Sequence, residues 1–99
     1  MILEIATIKI KDGTDQAFKT AVEEAVPLFQ SARGCQSMNL RRCVEEPNTY
    51  LLFVEWETLE NHTVDFRESD AFQKWRGLIG DYLAETPSAV HYEIVVQGF

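Results

Sequence analysis

The sequence predicts an α+β fold of ferredoxin-like type, with four antiparallel strands and two helical regions in the order β-α-β-β-α-β. Three observations predict it. Apolar residues occupy odd and even positions alike in Ile2-Leu3-x-Ile5-Ala6-x-Ile8-x-Ile10, Leu51-Leu52-Phe53-Val54 and Ile94-Val95-Val96. A strand wet on one face alternates, whereas a strand buried on both faces need not. Helical periodicity separates these segments in the order of a split βαβ arrangement. Right-handed crossovers then place both helical regions on one side of the sheet. The other side is left bare. A second copy of the chain is the simplest cover, so a homodimer is expected, its two sheets meeting in a barrel-like core.

Residues 2–10 form the first strand, and Lys11-Asp12-Gly13 the turn after it. Thr14 is placed to cap a helix, with Asp15 in the first turn, where negative charge suits the helix dipole. Phe18, Ala21, Val22, Ala25 and Phe29 give that helix one apolar face. Pro27 removes a backbone donor inside it and should kink or divide it. Gly34 is a stop signal. Residues 35–44 read as a second strand of mixed polarity, with Met38, Leu40 and Arg42 on one face. Glu45-Glu46-Pro47-Asn48 has hairpin-turn chemistry. Residues 49–57 return as the third strand, with Tyr50, Leu52, Val54 and Trp56 sharing a face.

A second helical region begins at Thr58 or Glu60. Leu59, His62, Thr63 and Phe66 fall on one side of it. Ser69 can cap a fresh helix whose face is Phe72, Trp75, Leu78, Ile79, Tyr82 and Leu83. Gly77 and Gly80 lie inside it; they either let it fray or permit close packing. Residues 89–97 make the last strand.

Ninety-nine residues make one domain, read as residues 1–99 throughout. With 45% hydrophobic and 25% charged residues, the chain is globular rather than disordered. A net charge of −7 repels phosphate backbones and argues against nucleic-acid binding. No apolar run approaches the roughly 20 residues of a membrane span, and the start of the chain is not a signal peptide. Cys35 and Cys43, eight residues apart on one strand, would stand roughly 26 Å from each other, beyond disulfide reach. Free thiols without an export signal point to the cytoplasm.

No zinc spacing, phosphate loop, dinucleotide fingerprint or nucleophile triad is present. His62 and His91 are the only histidines, too few for most catalytic zinc sites, so no metal is expected. His62 lies near the junction of sheet and helix. There a neutral imidazole can accept a proton from a phenol or enol, or it can simply satisfy a backbone group or a neighbouring Glu. Trp56, Phe66, Phe72, Trp75 and Tyr82 make an aromatic set facing the sheet–helix layer. It is either plain core or the wall of an apolar pocket for an aromatic molecule. Arg76, one turn from Phe72, can reach the rim of such a pocket. His91 and Tyr92 point to opposite faces, so only one of them can look into it.

Several stretches together are similar to the antibiotic biosynthesis monooxygenase domain. They are Met1-Ile-Leu-Glu-Ile-Ala with Lys11-Asp-Gly-Thr, Arg33-Gly-Cys-Gln, Tyr50-Leu-Leu-Phe-Val-Glu-Trp-Glu-Thr-Leu-Glu-Asn-His-Thr and Phe66-Arg-Glu-Ser-Asp-Ala-Phe-Gln-Lys-Trp. The resemblance implies the dimeric α+β barrel fold and a pocket between sheet and helices. Trp56 matches that family's pocket tryptophan. Leu52 stands where its anthrone oxygenases carry Asn. The haem-degrading branch needs an Asn, a Trp and a His where this chain has Ala6, Phe66 and Arg76. An arginine cannot serve as an axial imidazole, so haem degradation is not expected.

The expected function is therefore cofactor-free monooxygenation of a small electron-rich aromatic such as a quinol or anthrone. His62 would be the base, and Leu52, Trp56, Phe66, Phe72, Arg76, Tyr82 and His91 the substrate-binding residues. The competing reading is a non-catalytic dimer, either an aromatic-ligand-binding module or a small stress-response protein.

Overall fold

A computed structural model describes all 99 residues, Met1–Phe99. The chain runs through β1 (Ile2–Lys9), α1 (Asp15–Gln30), β2 (Cys35–Arg42), β3 (Thr49–Trp56), a π-helical turn (Asn61–Phe66), α2 (Asp70–Ile79), a 3₁₀ turn (Gly80–Tyr82) and β4 (Ser88–Tyr92). The strands form one antiparallel sheet in the order β2-β3-β1-β4. This is the ferredoxin-like α+β arrangement that the element order predicts.

Strand parity decides what is buried. Side chains alternate across a strand, and the even positions Glu4, Ala6 and Ile8 of β1 and Tyr50, Leu52, Val54 and Trp56 of β3 are all buried. Phe18, Ala21, Val22, Ala25 and Phe29 of α1 cover them at i, i+3, i+4 spacing, joined by Trp75 and Ile79 of α2. Burying each large apolar side chain contributes roughly 1.5–3 kcal/mol. Odd positions such as Leu3, Ile5, Leu51 and Phe53 are only half-buried. The two faces of the sheet therefore have different environments within one chain, as the helix count requires.

Several local expectations are corrected. Thr14 does not cap α1 with its side chain; its hydroxyl donates to the Lys11 carbonyl at 2.6 Å instead. Pro27 neither divides nor ends α1, which continues to Gln30. Proline in the last turn forfeits only its own donor, and the Ser31 N–H still bonds to the Pro27 carbonyl at 3.0 Å. Strand β2 stops at Arg42, short of residue 44, and a register shift lies between Cys35 and Ser37. Both cysteines are free.

The helix after Ser69 forms as the capping signal implies, with the Phe72 N–H bonding to Ser69 Oγ at 3.2 Å. It tightens into the 3₁₀ turn at Gly80. A Cβ on Gly77 or Gly80 would meet open space, so neither glycine serves close packing.

The last strand is five residues long, not nine. Tyr92 pairs with Leu3, and the antiparallel register leaves Ile2 and Met1 for Glu93 and Ile94 and nothing at all for Val95 and Val96. Strand β1 runs out, so the apolar segment after Tyr92 has no strand of this chain to pair with. Ile94 is 75% exposed and Val96 82%.

Gly34 ends the α1–β2 connection at φ +78°, and a Cβ there would collide with the Asn61 side-chain amide. Gly13 has a similar φ of +77° but open space around it. Gly13→Ala should therefore cost only the left-handed backbone penalty of about 1–2 kcal/mol, and Gly34→Ala clearly more. Urea denaturation of the two variants measures the difference.

Candidate functional site

One carboxylate lies on the wrong side of its strand by ordinary solvation rules. Glu4 has the parity of Ala6 and Ile8, faces the helices and is 5% exposed. Burying an unpaired charge is costly, and two groups answer it. Trp56 Nε1–H donates to Glu4 Oε1 at 3.0 Å, and His62 Nε2 stands 3.3 Å from the same oxygen. Trp56 reaches it diagonally across the sheet, since Val54 and not Trp56 is the direct partner of Glu4.

The π-helical turn delivers His62. Its wide winding shows in the Arg67 N–H bond to the His62 carbonyl, five residues back, at 3.1 Å. The turn is anchored at its start by Asn61 Oδ1, which accepts from the Thr58 N–H at 3.0 Å and the Thr58 hydroxyl at 2.9 Å. The winding alters the face expected from ordinary helical spacing. Asn61, His62 and Phe66 are buried, while Leu59 is exposed and Thr63 only partly covered. His62 stacks on Trp56 with centroids 5.3 Å apart and planes 19° from parallel.

His91 completes the group. It is the direct partner of Glu4 across β1 and β4 and so lies on the same face. Its Nε2 is 2.7 Å from His62 Nδ1. Carboxylate, imidazole and imidazole thus lie in series, from a buried strand centre to a partly exposed edge strand. Burial raises the Glu4 carboxyl above its ordinary 4.5, partly offset by the Trp56 hydrogen bond and the Arg67 charge. Burial, then the charges of Arg67 and His91, lower His62 to about 4. Burial and Arg67 also lower His91. The pair is therefore held neutral near pH 7.

A cavity of about 950 Å³ opens between the sheet and α2. Its walls include Glu4 and Ala6 from β1, Phe72, Trp75 and Arg76 from α2, and Ala89 from β4. Only Oε1 of Glu4 is engaged by Trp56 and His62. No side-chain oxygen is both buried and unpartnered, so Oε2 keeps contact with open space, and the cavity is the space beside it. Arg67 also borders the cavity, and neither Arg67 nor Arg76 has an ion-pair partner.

Of the residues that the sequence marks, Phe72, Trp75 and Arg76 border this cavity. Leu52, Trp56 and Phe66 do not; they pack in the core, with Phe66 against Phe29 and Phe72. Tyr82 packs against that core from the 3₁₀ turn and is not a cavity wall. His62 and His91 also lie off the cavity and reach it through Glu4. Glu4 is the residue that sequence reasoning missed. The available signal was its parity with Ala6, Ile8 and Ile10 on an otherwise apolar face.

The model of the antibiotic biosynthesis monooxygenase family matches residues 1–78. The chain belongs to this family. It is 39% identical over 95 residues to the uncharacterized protein YczJ of Bacillus subtilis, covering 96% of this chain and all of that one. A crystal structure from Bordetella bronchiseptica, provisionally named an antibiotic biosynthesis monooxygenase, superposes with a TM-score of 0.93 at 46% identity, over 96% of this chain and 97% of that one. A similarly named protein from Nitrosomonas europaea shares the fold at 20% identity, with a TM-score of 0.81 over 97% of this chain and 100% of that one. No helix of this family member is long and apolar enough to cross a membrane.

The two lead groups titrate with opposite sign. An unfolded histidine takes up a proton near 6.5, whereas folded His62 stays neutral down to about 4, so acid favours unfolding across that window. Folded Glu4 binds its proton above 4.5, so folding gains stability as pH falls through that raised value. Between pH 6.5 and 4.5, Glu4→Gln should therefore lose stability on acidification more steeply than wild type, and His62→Gln less steeply. Thermal midpoints recorded across that range measure both slopes.

Proposed function

We propose that this chain is a monooxygenase acting on a small electron-rich aromatic substrate, such as a quinol or anthrone, held in the cavity between the sheet and α2. The observation that carries the reading is the buried Glu4–His62 pair beside a cavity large enough for a fused-ring molecule. Phe72 and Trp75 supply apolar walls. Arg67 and Arg76 supply unpaired positive charge where an anion would form.

The chemistry asks little of the protein. A phenol or enol in the cavity gives its proton to the Glu4–His62 pair. The resulting anion passes one electron to O₂, and the radical pair recombines as a peroxide. At an anthrone-type CH₂ the peroxide collapses to a carbonyl. One oxygen atom stays in the substrate and the other leaves as water with the two hydrogens of that carbon. The substrate supplies all of the electrons, while the protein supplies orientation, desolvation and a base.

Dissolved-oxygen measurements with a panel of quinols and anthrones test this. Uptake should be substrate-dependent and persist after exhaustive chelation. Glu4→Gln and His62→Ala should each lower turnover by roughly 10²-fold or more. Absence of uptake across the panel would defeat the reading.

The working unit in this proposal is a homodimer. The half-buried odd face of the sheet and the unpaired run Ile94–Val96 are the surfaces a second copy would cover. Light scattering should give twice the chain mass of 11.4 kDa. Truncation after Tyr92 should shift the equilibrium toward the monomer while leaving the helical-face core intact.

A further inference from the structure

We propose that Glu4, His62 and His91 form a proton wire through which the buried Glu4 carboxyl exchanges its proton with solvent at the edge of the sheet. The use of the wire, keeping Glu4 ionised as a base, rests on the oxygenase reading; the wire itself does not.

Two distances carry the argument. Ring nitrogens 2.7 Å apart, His62 Nδ1 and His91 Nε2, hold one hydrogen between them. Two hydrogens there would collide, and two lone pairs would repel. The 3.3 Å separation of His62 Nε2 and Glu4 Oε1 likewise takes one. With both rings neutral and any carboxyl proton on Oε1, these constraints leave two arrangements. With Glu4 ionised, His91 Nε2–H donates to His62 Nδ1, and His62 Nε2–H donates to Glu4. With Glu4 protonated, its O–H donates to His62 Nε2, and His62 Nδ1–H donates to His91 Nε2. His91 then carries its own hydrogen on Nδ1.

The two arrangements differ by one proton and by the direction of every bond. From the second arrangement, Glu4 gives its hydrogen to His62 Nε2 as His62 Nδ1–H passes to His91 Nε2, which leaves the charge on His91. Release from His91 to solvent completes the transfer. Loss of the Nδ1 hydrogen of His91 leaves the first arrangement, and proton uptake by Glu4 runs the same steps in reverse.

His91 is suited to the outer position because it is partly exposed on the edge strand, whereas His62 is 3% exposed and has no route to water of its own. The other titratable or charged groups felt here are Arg67, at the end of the π-helical turn, and Cys35, at the start of β2. Arg67 disfavours a lasting imidazolium on either ring. The thiol of Cys35 is raised, chiefly by burial and in part by the Glu4 charge, and stays protonated. Holding both rings neutral is what a wire needs, since a trapped charge on His62 would block it. His91 in this account is a relay and positioning residue that touches no substrate.

The test is two-bond ¹⁵N–¹H correlation spectroscopy of histidine-labelled full-length protein, without substrate, across the titration of Glu4. His62 should carry its hydrogen on Nε2 at high pH and on Nδ1 after Glu4 takes up a proton. In Glu4→Gln that switch should be lost. A His62 tautomer that never changes while Glu4 titrates would overturn the wire, as would an imidazolium at His62 in that range. The kinetic arm uses His91→Gln, which can still bond to His62 but cannot relay a proton. Turnover should fall and be restored by added imidazole; a loss that imidazole does not restore marks a purely structural role and counts against the wire. If no substrate is ever oxidised, the spectra alone decide the wire, so its failure and that of the oxygenase reading are separable.

Discussion

Glu4 is the constraint on which the remainder of the site depends. A carboxylate at an even position of β1 must be solvated by something other than water, because even positions face the helices. The indole N–H of Trp56 and the ring of His62 do this, each from a different element. Meeting that demand requires Trp56 at the end of β3 and a turn wide enough to bring His62 over it. The π winding of Asn61–Phe66 supplies that width, and the Asn61–Thr58 bonds hold its start. The same turn needs a residue without a side chain beneath it, and Gly34 fills that place. A single buried charge thus accounts for several local features that would otherwise look unrelated.

The cavity follows from where the helices stop. The α1 face and Phe66 fill the layer over β3 and the centre of β1. Helix α2 gives way to a 3₁₀ turn at Gly80, and β4 brings only Ala89 and His91 to the same face. Small side chains at Ala6 and Ala89 leave the space over β1 and β4 that larger residues occupy over β3. The aromatic residues therefore divide between two tasks. Phe29, Trp56 and Phe66 make the core rigid, and Phe72 and Trp75 form its boundary with the cavity.

Much of this was legible in the sequence, and the exceptions have physical reasons. Strand parity and helical spacing gave the element order, the buried set of β3 and the apolar face of α1, because each depends only on local geometry. Leu59 and Thr63 misled because the spacing of an α-helix was applied to a turn wound as π. Trp56, Phe66 and Tyr82 fall outside the cavity wall, because an aromatic residue on the right face does not reveal whether a wall or a filled core lies above it; Leu52, marked by the family resemblance alone, packs in the core as well. Glu4 gives no signal by residue type, since a charged side chain in a strand ordinarily faces water; only its parity puts it among the core residues. The extent of β4 could not be read from β4 at all; it depends on the length of β1, which runs out opposite Ile94.

So small a chain carries both a site and a separate, half-buried apolar surface on one sheet. Alternation gives each strand two independent surfaces. In β1, Glu4 and Ala6 serve the cavity while Leu3 and Ile5 serve the open face; in β4, Ala89 and His91 serve the cavity while Val90 and Tyr92 point away. Neighbouring residues are thus bound to different tasks through one backbone. The odd face can therefore be covered without displacing any side chain of the even one. His62 joins the two strands from above, 2.7 Å from His91 of β4 and 3.3 Å from Glu4 of β1, so both distances depend on how the π-helical turn sits over the even face and on no side chain of the odd one.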